Sequence, residues 1–257
     1  AGQRARRSAG AGSELLQLRE YQAGDPLSRI DWKATARARA LITREFSEDQ
    51  HLDILVAIDA GRASRARAGL LDRLGLYANI AARFAEHAVR HDDQVGLCVF
   101  SDRVLSVVAP DRGIAAVMRL RGALERLAVT PAESDLVGAA ARIRGLLRRR
   151  SLIVLLTDFE EAAQEEPLAR MLRVLSPPHL ALVGGVRDPE IARVAFAPAR
   201  GWRDPWVSLA SAEHEARTRA RIGRLHAAGV PAVATRADLL ERAVIDEYEM
   251  LRRRRRI

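Results

Sequence analysis

With 257 residues and 48% hydrophobic content the chain is long enough to bury a large core as one or two domains, and with 4% aromatic residues that core must be built from Leu, Val, Ile and Ala. Its formal net charge of +9 rests on one lysine, Lys33, and 41 arginines, a bias that reflects genome composition as much as function. The longest apolar runs, such as 151–157, fall far short of the roughly 20 residues of a membrane span, no signal peptide is visible, and a single cysteine, Cys98, excludes an internal disulfide.

An initial alanine in place of methionine reads as a fragment or a processed chain. Residues 1–12 are rich in Arg, Ala and Gly and read as a flexible tail. The next stretch, 13–48, interleaves charges of alternating sign with Tyr21, Gly24, Pro26 and Trp32. It is too polar and irregular for an ordinary helix or strand, and too rich in aromatic and branched residues for disorder. One reading is an ordered clasp, with Asp25 and Asp31 paired to Arg19, Arg29 or Arg37 and Trp32 buried against a sheet edge. The other is a partner-docking surface made by Arg19, Tyr21, Asp25, Arg29, Asp31, Trp32 and Arg37.

The apolar run 52–58 has strand length and ends at Asp59. Residues 70–89 place Leu71, Leu74, Tyr77, Ala78, Ala81 and Phe84 on one helical face. Runs 94–100 and 104–108 read as strands joined by a Ser101-Asp102-Arg103 hairpin, with Cys98 a small buried hydrophobe. Asp111 is expected to cap a helix reaching Leu127, and Ser134 or Asp135 one reaching Arg149. The continuous apolar run 151–156 is expected for a central parallel strand buried on both faces. A helix over 165–175 stops at Ser176-Pro177-Pro178. A strand over 179–186 precedes a turn at Asp188-Pro189. A helix over 211–228, a strand over 230–235 and a helix over 237–253 complete the chain. This alternation predicts a three-layer α/β/α fold of Rossmann type around an open, mostly parallel sheet.

The motif Leu18-Arg19, Tyr21, Gly24-Asp25, Arg29, Ile30-Asp31-Trp32, Thr35-Ala36-Arg37 and Leu41 resembles the hallmark of the bacterial domain of unknown function 58 family. The strand ends Ile58-Asp59, Leu155-Leu156-Thr157-Asp158 and Val186-Arg187-Asp188-Pro189 extend the resemblance over roughly residues 13–250. It implies a von Willebrand factor A-like domain over 49–250, a signature segment over 13–48 packed on it, and a basic tail over 251–257. It also implies a setting. Such proteins accompany MoxR-type AAA+ ATPases, and many carry membrane helices upstream. This chain would then be the soluble part of an adaptor on the cytoplasmic face of the bacterial membrane, reaching that membrane only through segments outside it.

In open α/β sheets ligands sit beyond the carboxyl ends of the strands. Asp59 and Asp158 fall at two such ends, and the loop before an intervening helix adds Ser134 and Asp135. Carboxylates and a hydroxyl around one point suit a hard cation such as Mg²⁺ or Mn²⁺. The resemblance implies the metal-ion-dependent adhesion site, which draws on an Asp-x-Ser-x-Ser loop, a Thr and a later Asp. Asp59, Ser134 and Asp158 match the first aspartate, the hydroxyl and the last aspartate. The serine positions hold Gly61 and Ala63, Ser64 stands one place out of register, and Arg62 sits inside the loop. The alternatives to a cation are an Arg62-paired, metal-free remnant and a purely structural pair of helix caps.

No phosphate loop, nucleophile elbow or dinucleotide fingerprint occurs. His87 and His91 stand at i, i+4 with Ala88 between them instead of a catalytic Glu, and read as helix-surface histidines. The leading expectation is a non-enzymatic protein-binding module, with no nucleic acid expected and no small-molecule substrate identified. Two other classes stay open. Arg252 to Arg256, without which the charge falls to +4, can bind nucleic acid or anionic lipid, or simply solvate a helix end. The acidic cluster can serve a metal-dependent phosphoester hydrolase.

Overall fold

Strand pairing and contacts divide the chain into two units, Ala1–His51 and Leu52–Ile257. The computed structural model describes residues 9–47, 51–158, 160 and 165–253. In the first unit β1 (Ala9–Glu20) pairs antiparallel with β2 (Ile42–Ser47), Leu18 lying opposite Arg44 and Glu20 opposite Ile42. Residues 9–12, expected within a flexible tail, thus begin a strand. Between the strands a turn uses Gly24 at φ 112°, which favours glycine. A single 3₁₀ turn, Leu27–Arg29, and the short helix α1 (Trp32–Ala38) follow.

Asp31 caps α1, its carboxylate accepting the Ala34 N–H at 3.0 Å while Arg44 approaches at 3.3 Å. Arg19 grips Asp25 with two bonds of 2.8 Å. The pairing of Asp25 with Arg19 follows the sequence expectation, whereas the partner of Asp31 is Arg44 on β2, outside the expected set. Trp32 is a correction: it is 66% exposed, and the buried anchor is Ile30, 3% exposed and bridged to Thr43. Trp32 is the first residue of a seven-residue helix none of whose residues is buried.

The second unit begins with β3 (Asp53–Asp59), then a minimal hairpin of β4 (Arg67–Ala68) and β5 (Leu71–Asp72). Next come α2 (Arg73–Arg90), β6 (Gln94–Phe100), β7 (Val104–Asp111), α3 (Gly113–Leu124) and α4 (Leu136–Leu146). They are followed by β8 (Leu152–Leu156), α5 (Glu165–Leu175), β9 (Leu180–Val186) and α6 (Pro189–Ala195). The unit closes with α7 (Asp204–Ala227), β10 (Ala232–Thr235) and α8 (Ala237–Arg253). The six strands run in the order β10-β9-β8-β3-β6-β7, all parallel except β7, which returns as a hairpin on β6.

Alternate residues of the central strands feed two cores. Ile54, Val56 and Ile58 of β3 join Val154 of β8 under α2, α3 and α8. Leu55 and Ala57 join Ile153 and Leu155 on the opposite face under α4, α5 and α7. That arrangement is the three-layer α/β/α sandwich, with β3 and β8 buried on both faces as their unbroken apolar runs predict. On the first face Phe84 of α2 packs edge-on against Tyr248 of α8 at 5.1 Å. The Tyr248 hydroxyl donates to the fully buried Asp93, which also accepts the Leu52 N–H at 3.0 Å.

Several boundaries differ from the sequence reading. Helix α2 starts at Arg73 rather than residue 70, because Asp72 caps it through the Gly75 N–H at 2.7 Å and Leu70 is 97% exposed in the hairpin. Asp111 ends β7 instead of capping α3, its carboxylate accepting the Arg112 N–H at 2.7 Å. Asp188 and Pro189 open a short helix, α6, where a turn was expected: Asp188 accepts the Glu190 N–H at 2.9 Å. Helix α7 begins at Asp204, well before 211, since its first turns expose Trp206, Val207 and Leu209 and carry no core-facing stripe.

Leu155 is fully buried in β8 between β3 and β9. Leu155→Ala should cost about 2–5 kcal/mol through lost transfer energy and the cavity left behind. Chemical denaturation should show a lower midpoint with an unchanged slope.

Candidate functional site

Strands β3 and β8 lie side by side, Ile58 opposite Leu156. The helices that follow them, α2 and α5, pack on opposite faces of the sheet. The carboxyl ends of these two strands therefore flank the switch-point crevice of an open α/β sheet. Asp59 ends β3, and Asp158 stands two residues past β8.

Asp59 is 3% exposed and held by three donors. Its Oδ1 accepts the Gly61 N–H at 2.9 Å and the Ser134 hydroxyl, and its Oδ2 accepts the Thr157 hydroxyl at 2.8 Å. The Ser64 hydroxyl donates to the Asp59 main-chain carbonyl at 2.6 Å. Asp158, 8% exposed, accepts the Glu160 N–H at 2.7 Å and pairs with the buried guanidinium of Arg73, the first residue of α2. The same guanidinium reaches Glu160 at 2.5 Å. Glu160 in turn accepts the Asp188 N–H at 3.1 Å, and the His214 imidazole lies 3.9 Å away. Fully buried Tyr77 donates to the Thr157 carbonyl at 3.0 Å.

Burial pushes the Asp59 pKa up, against the three hydrogen bonds that favour its charged form, and the Asp158 charge adds to the rise. Burial alone would lower the Arg73 pKa, but Asp158, Tyr77 and Glu160 more than offset it, and the net direction is up. Tyr77 is likewise raised, chiefly by burial.

This arrangement does not fit a hard divalent cation. Such an ion draws on carboxylate and hydroxyl oxygens free to coordinate it. Here the hydroxyls of Ser64, Ser134 and Thr157 all bond to Asp59, and Arg73 already places a positive charge on Asp158. A Cβ at Gly61 would fall 2.0 Å from the Ser134 oxygen, so the direct Ser134–Asp59 bond requires glycine where the adhesion-site loop has serine. The cation on Asp158 is Arg73 rather than Arg62, whose guanidinium pairs with exposed Glu133 at 2.8 Å.

Asp59, Ser134 and Asp158 are thus brought together, while Asp135 is exposed and caps α4 through the Gly138 N–H at 2.9 Å. Sequence reasoning missed Arg73 and Glu160. Their only local signals are a position directly after a capping aspartate and one two residues past a strand-end aspartate. In the signature segment Tyr21 and Arg29 are half-buried and Arg37 is exposed, with the Tyr21 N–H bonded to Leu41 at 2.8 Å. Of the basic block, Arg252 donates to the His91 carbonyl at 2.8 Å and Arg253 pairs with Glu249 at 3.0 Å; residues 254–256 lie outside the described residues.

Two outcomes test this geometry. Millimolar Mg²⁺ or Mn²⁺ should leave the melting temperature unchanged, where a site filled at 100 times its dissociation constant would add about 2.7 kcal/mol. A carboxylate with a raised folded-state pKa contributes stability that is complete below its unfolded pKa and lost as pH rises through the folded value. Asp59→Asn should remove that component, so its melting temperature relative to the native chain should rise with pH across the window above the ordinary aspartate range.

Comparison with known proteins agrees with this architecture. The chain is 26% identical over 264 residues to an uncharacterized protein of Mycobacterium tuberculosis, covering 95% of this chain and 81% of that one. Among solved structures it is similar to BatB of Bacteroides thetaiotaomicron, at 15% identity and a TM-score of 0.51, with 78% of this chain and 98% of that one covered. It also superposes on the pilus adhesin SpaC of Lactobacillus rhamnosus GG, at 9% identity and a TM-score of 0.52, covering 79% of this chain and 30% of the adhesin. These likenesses bear on the fold, which is von Willebrand A-like. The sequence profile described as "Protein of unknown function DUF58" matches residues 17–222, and the chain belongs to that family.

Proposed function

We propose that the chain is a non-enzymatic adaptor that docks another protein, and that the partner is a MoxR-type AAA+ ATPase, as the family resemblance implies. A von Willebrand A-like fold is consistent with a protein-interaction module. The observation that carries the docking reading is Trp32. Its indole is 66% exposed, and Leu27 nearby in sequence is 69% exposed. Large apolar groups are left in water while the backbone around them is fixed by the Arg19–Asp25 pair and the Asp31 cap. Exposed Trp and Arg on a pre-organised backbone are the residue types that dominate binding energy, because little ordering remains to be done on association.

The strand-end network supports the absence of catalysis in this reading. Asp59 is engaged by three donors and Asp158 by Arg73, which ties both carboxylates into contacts within the fold. In this reading the rigid strand-end loops, with the exposed Glu133 and Asp135, form a second recognition surface. Among the described residues no helix is long and apolar enough to cross a membrane. The family resemblance implies an anchor at the cytoplasmic face of the membrane in segments outside this chain.

The test is calorimetry against a purified MoxR-type ATPase without nucleotide, with ADP and with a non-hydrolysable ATP analogue. Binding is expected in at least one state. Trp32→Ala should weaken it at least tenfold, about 1.4 kcal/mol or more, with an unchanged melting temperature. Absence of binding in every nucleotide state would overturn the partner, and native-like binding by Trp32→Ala would overturn the surface.

A further inference from the structure

We propose that His87, His91 and Glu249 form a site for a borderline transition-metal ion of the Zn²⁺ class, clasping α2 to α8. The two imidazoles stand one turn apart on α2, ring centroids 4.9 Å from each other, and Glu249 comes from α8. One donor atom from each of the three lies within 4.8 Å of the others. Nε2 of His87 is 3.1 Å from Oε1 of Glu249, yet this nitrogen is buried and makes no aligned hydrogen bond. A buried nitrogen beside a carboxylate that it does not properly bond is a group whose partner is unaccounted for.

The spacing fits a metal better than it fits a hydrogen bond. Zn²⁺ holds imidazole nitrogens and carboxylate oxygens at about 2.0–2.2 Å in a tetrahedron, so two ligand atoms sit roughly 3.3 Å apart. The His87–Glu249 pair is already near that edge length, and a donor atom of His91 lies within 4.8 Å of both. Arg253 holds Oε2 of Glu249 at 3.0 Å, which leaves Oε1 toward the imidazoles as a single-oxygen ligand fixed from behind. The nearby Arg252 is drawn to the His91 carbonyl at 2.8 Å and to Asp93 at 3.5 Å, so its charge is partly met away from the ligand atoms.

Two histidines and a glutamate are a recognised zinc donor set with a fourth position left for water. The half-buried state of all three residues leaves that position open to solvent. Imidazole donors select Zn²⁺, Ni²⁺ or Cu²⁺ over Mg²⁺. The helices are already joined beneath the cluster by the Phe84–Tyr248 contact, so the ion adds a clasp to a preformed interface.

The experiment uses the full chain without an affinity tag, stripped with chelator and titrated with Zn²⁺ and separately with Mg²⁺ by calorimetry. Co²⁺ substitution supplies a spectroscopic readout. One Zn²⁺ per chain, a raised melting temperature and the intense visible bands of tetrahedral Co²⁺ are expected, with no response to Mg²⁺. His91→Ala and Glu249→Gln should each weaken binding at least tenfold and abolish the Co²⁺ bands; if either variant folds poorly, His87→Gln supplies the same comparison. Zn²⁺ binding unaltered in these variants, or no stoichiometric binding by the native chain, would overturn the site.

Discussion

A guanidinium cannot be taken out of water without compensation, and Arg73 is 6% exposed. Its compensation is the pair of carboxylates Asp158 and Glu160, and this interaction organises the strand ends. It fixes the first turn of α2 to the loop after β8. Through Glu160 it also reaches the Asp188 N–H at the start of α6, after β9. Three loops leaving three different strands are thereby joined by one buried cation. Removing Arg73 would leave two buried carboxylates facing each other, whereas removing either carboxylate would leave the guanidinium half-compensated. The loop conformation that any partner meets is thus set from beneath the surface.

What was legible in the sequence follows from how each element is buried. Strands β3 and β8 declare themselves as unbroken apolar runs because both of their faces are covered, and α8 shows its stripe of Leu240, Val244, Tyr248 and Leu251. Helix α6 and the first turns of α7 have little or no buried surface, so no periodicity betrays them. The same logic governs the site. Asp59 and Asp158 are readable because an aspartate directly after a buried strand is a local pattern.

The identity of the cation between the loops is not a local pattern. Arg62 is the arginine nearest Asp59 in sequence, but Arg73 and Glu160 are 87 positions apart and meet only because the sheet order places β8 beside β3. Trp32 escaped for a related reason. Aromatic residues are normally assigned to the core on hydrophobicity alone, and the segment around Trp32 covers Ile30 instead.

A protein-supplied cation has consequences that a bound ion lacks. Arginine keeps its charge over the whole physiological pH range, and it cannot be removed by chelation or exchanged for another metal. At the strand ends Arg73 therefore supplies a charge that does not vary with metal supply, while Ser134 and Thr157 bond to Asp59. The side-chain cation thus stands where a bridging ion would otherwise meet Asp158. Helix α2 spans about 27 Å at 1.5 Å per residue, and its inner face is locked by the fully buried side chains of Tyr77 and Phe84. A ligand gripping its far end would therefore stiffen the α2–α8 layer without moving Arg73 from its two carboxylates.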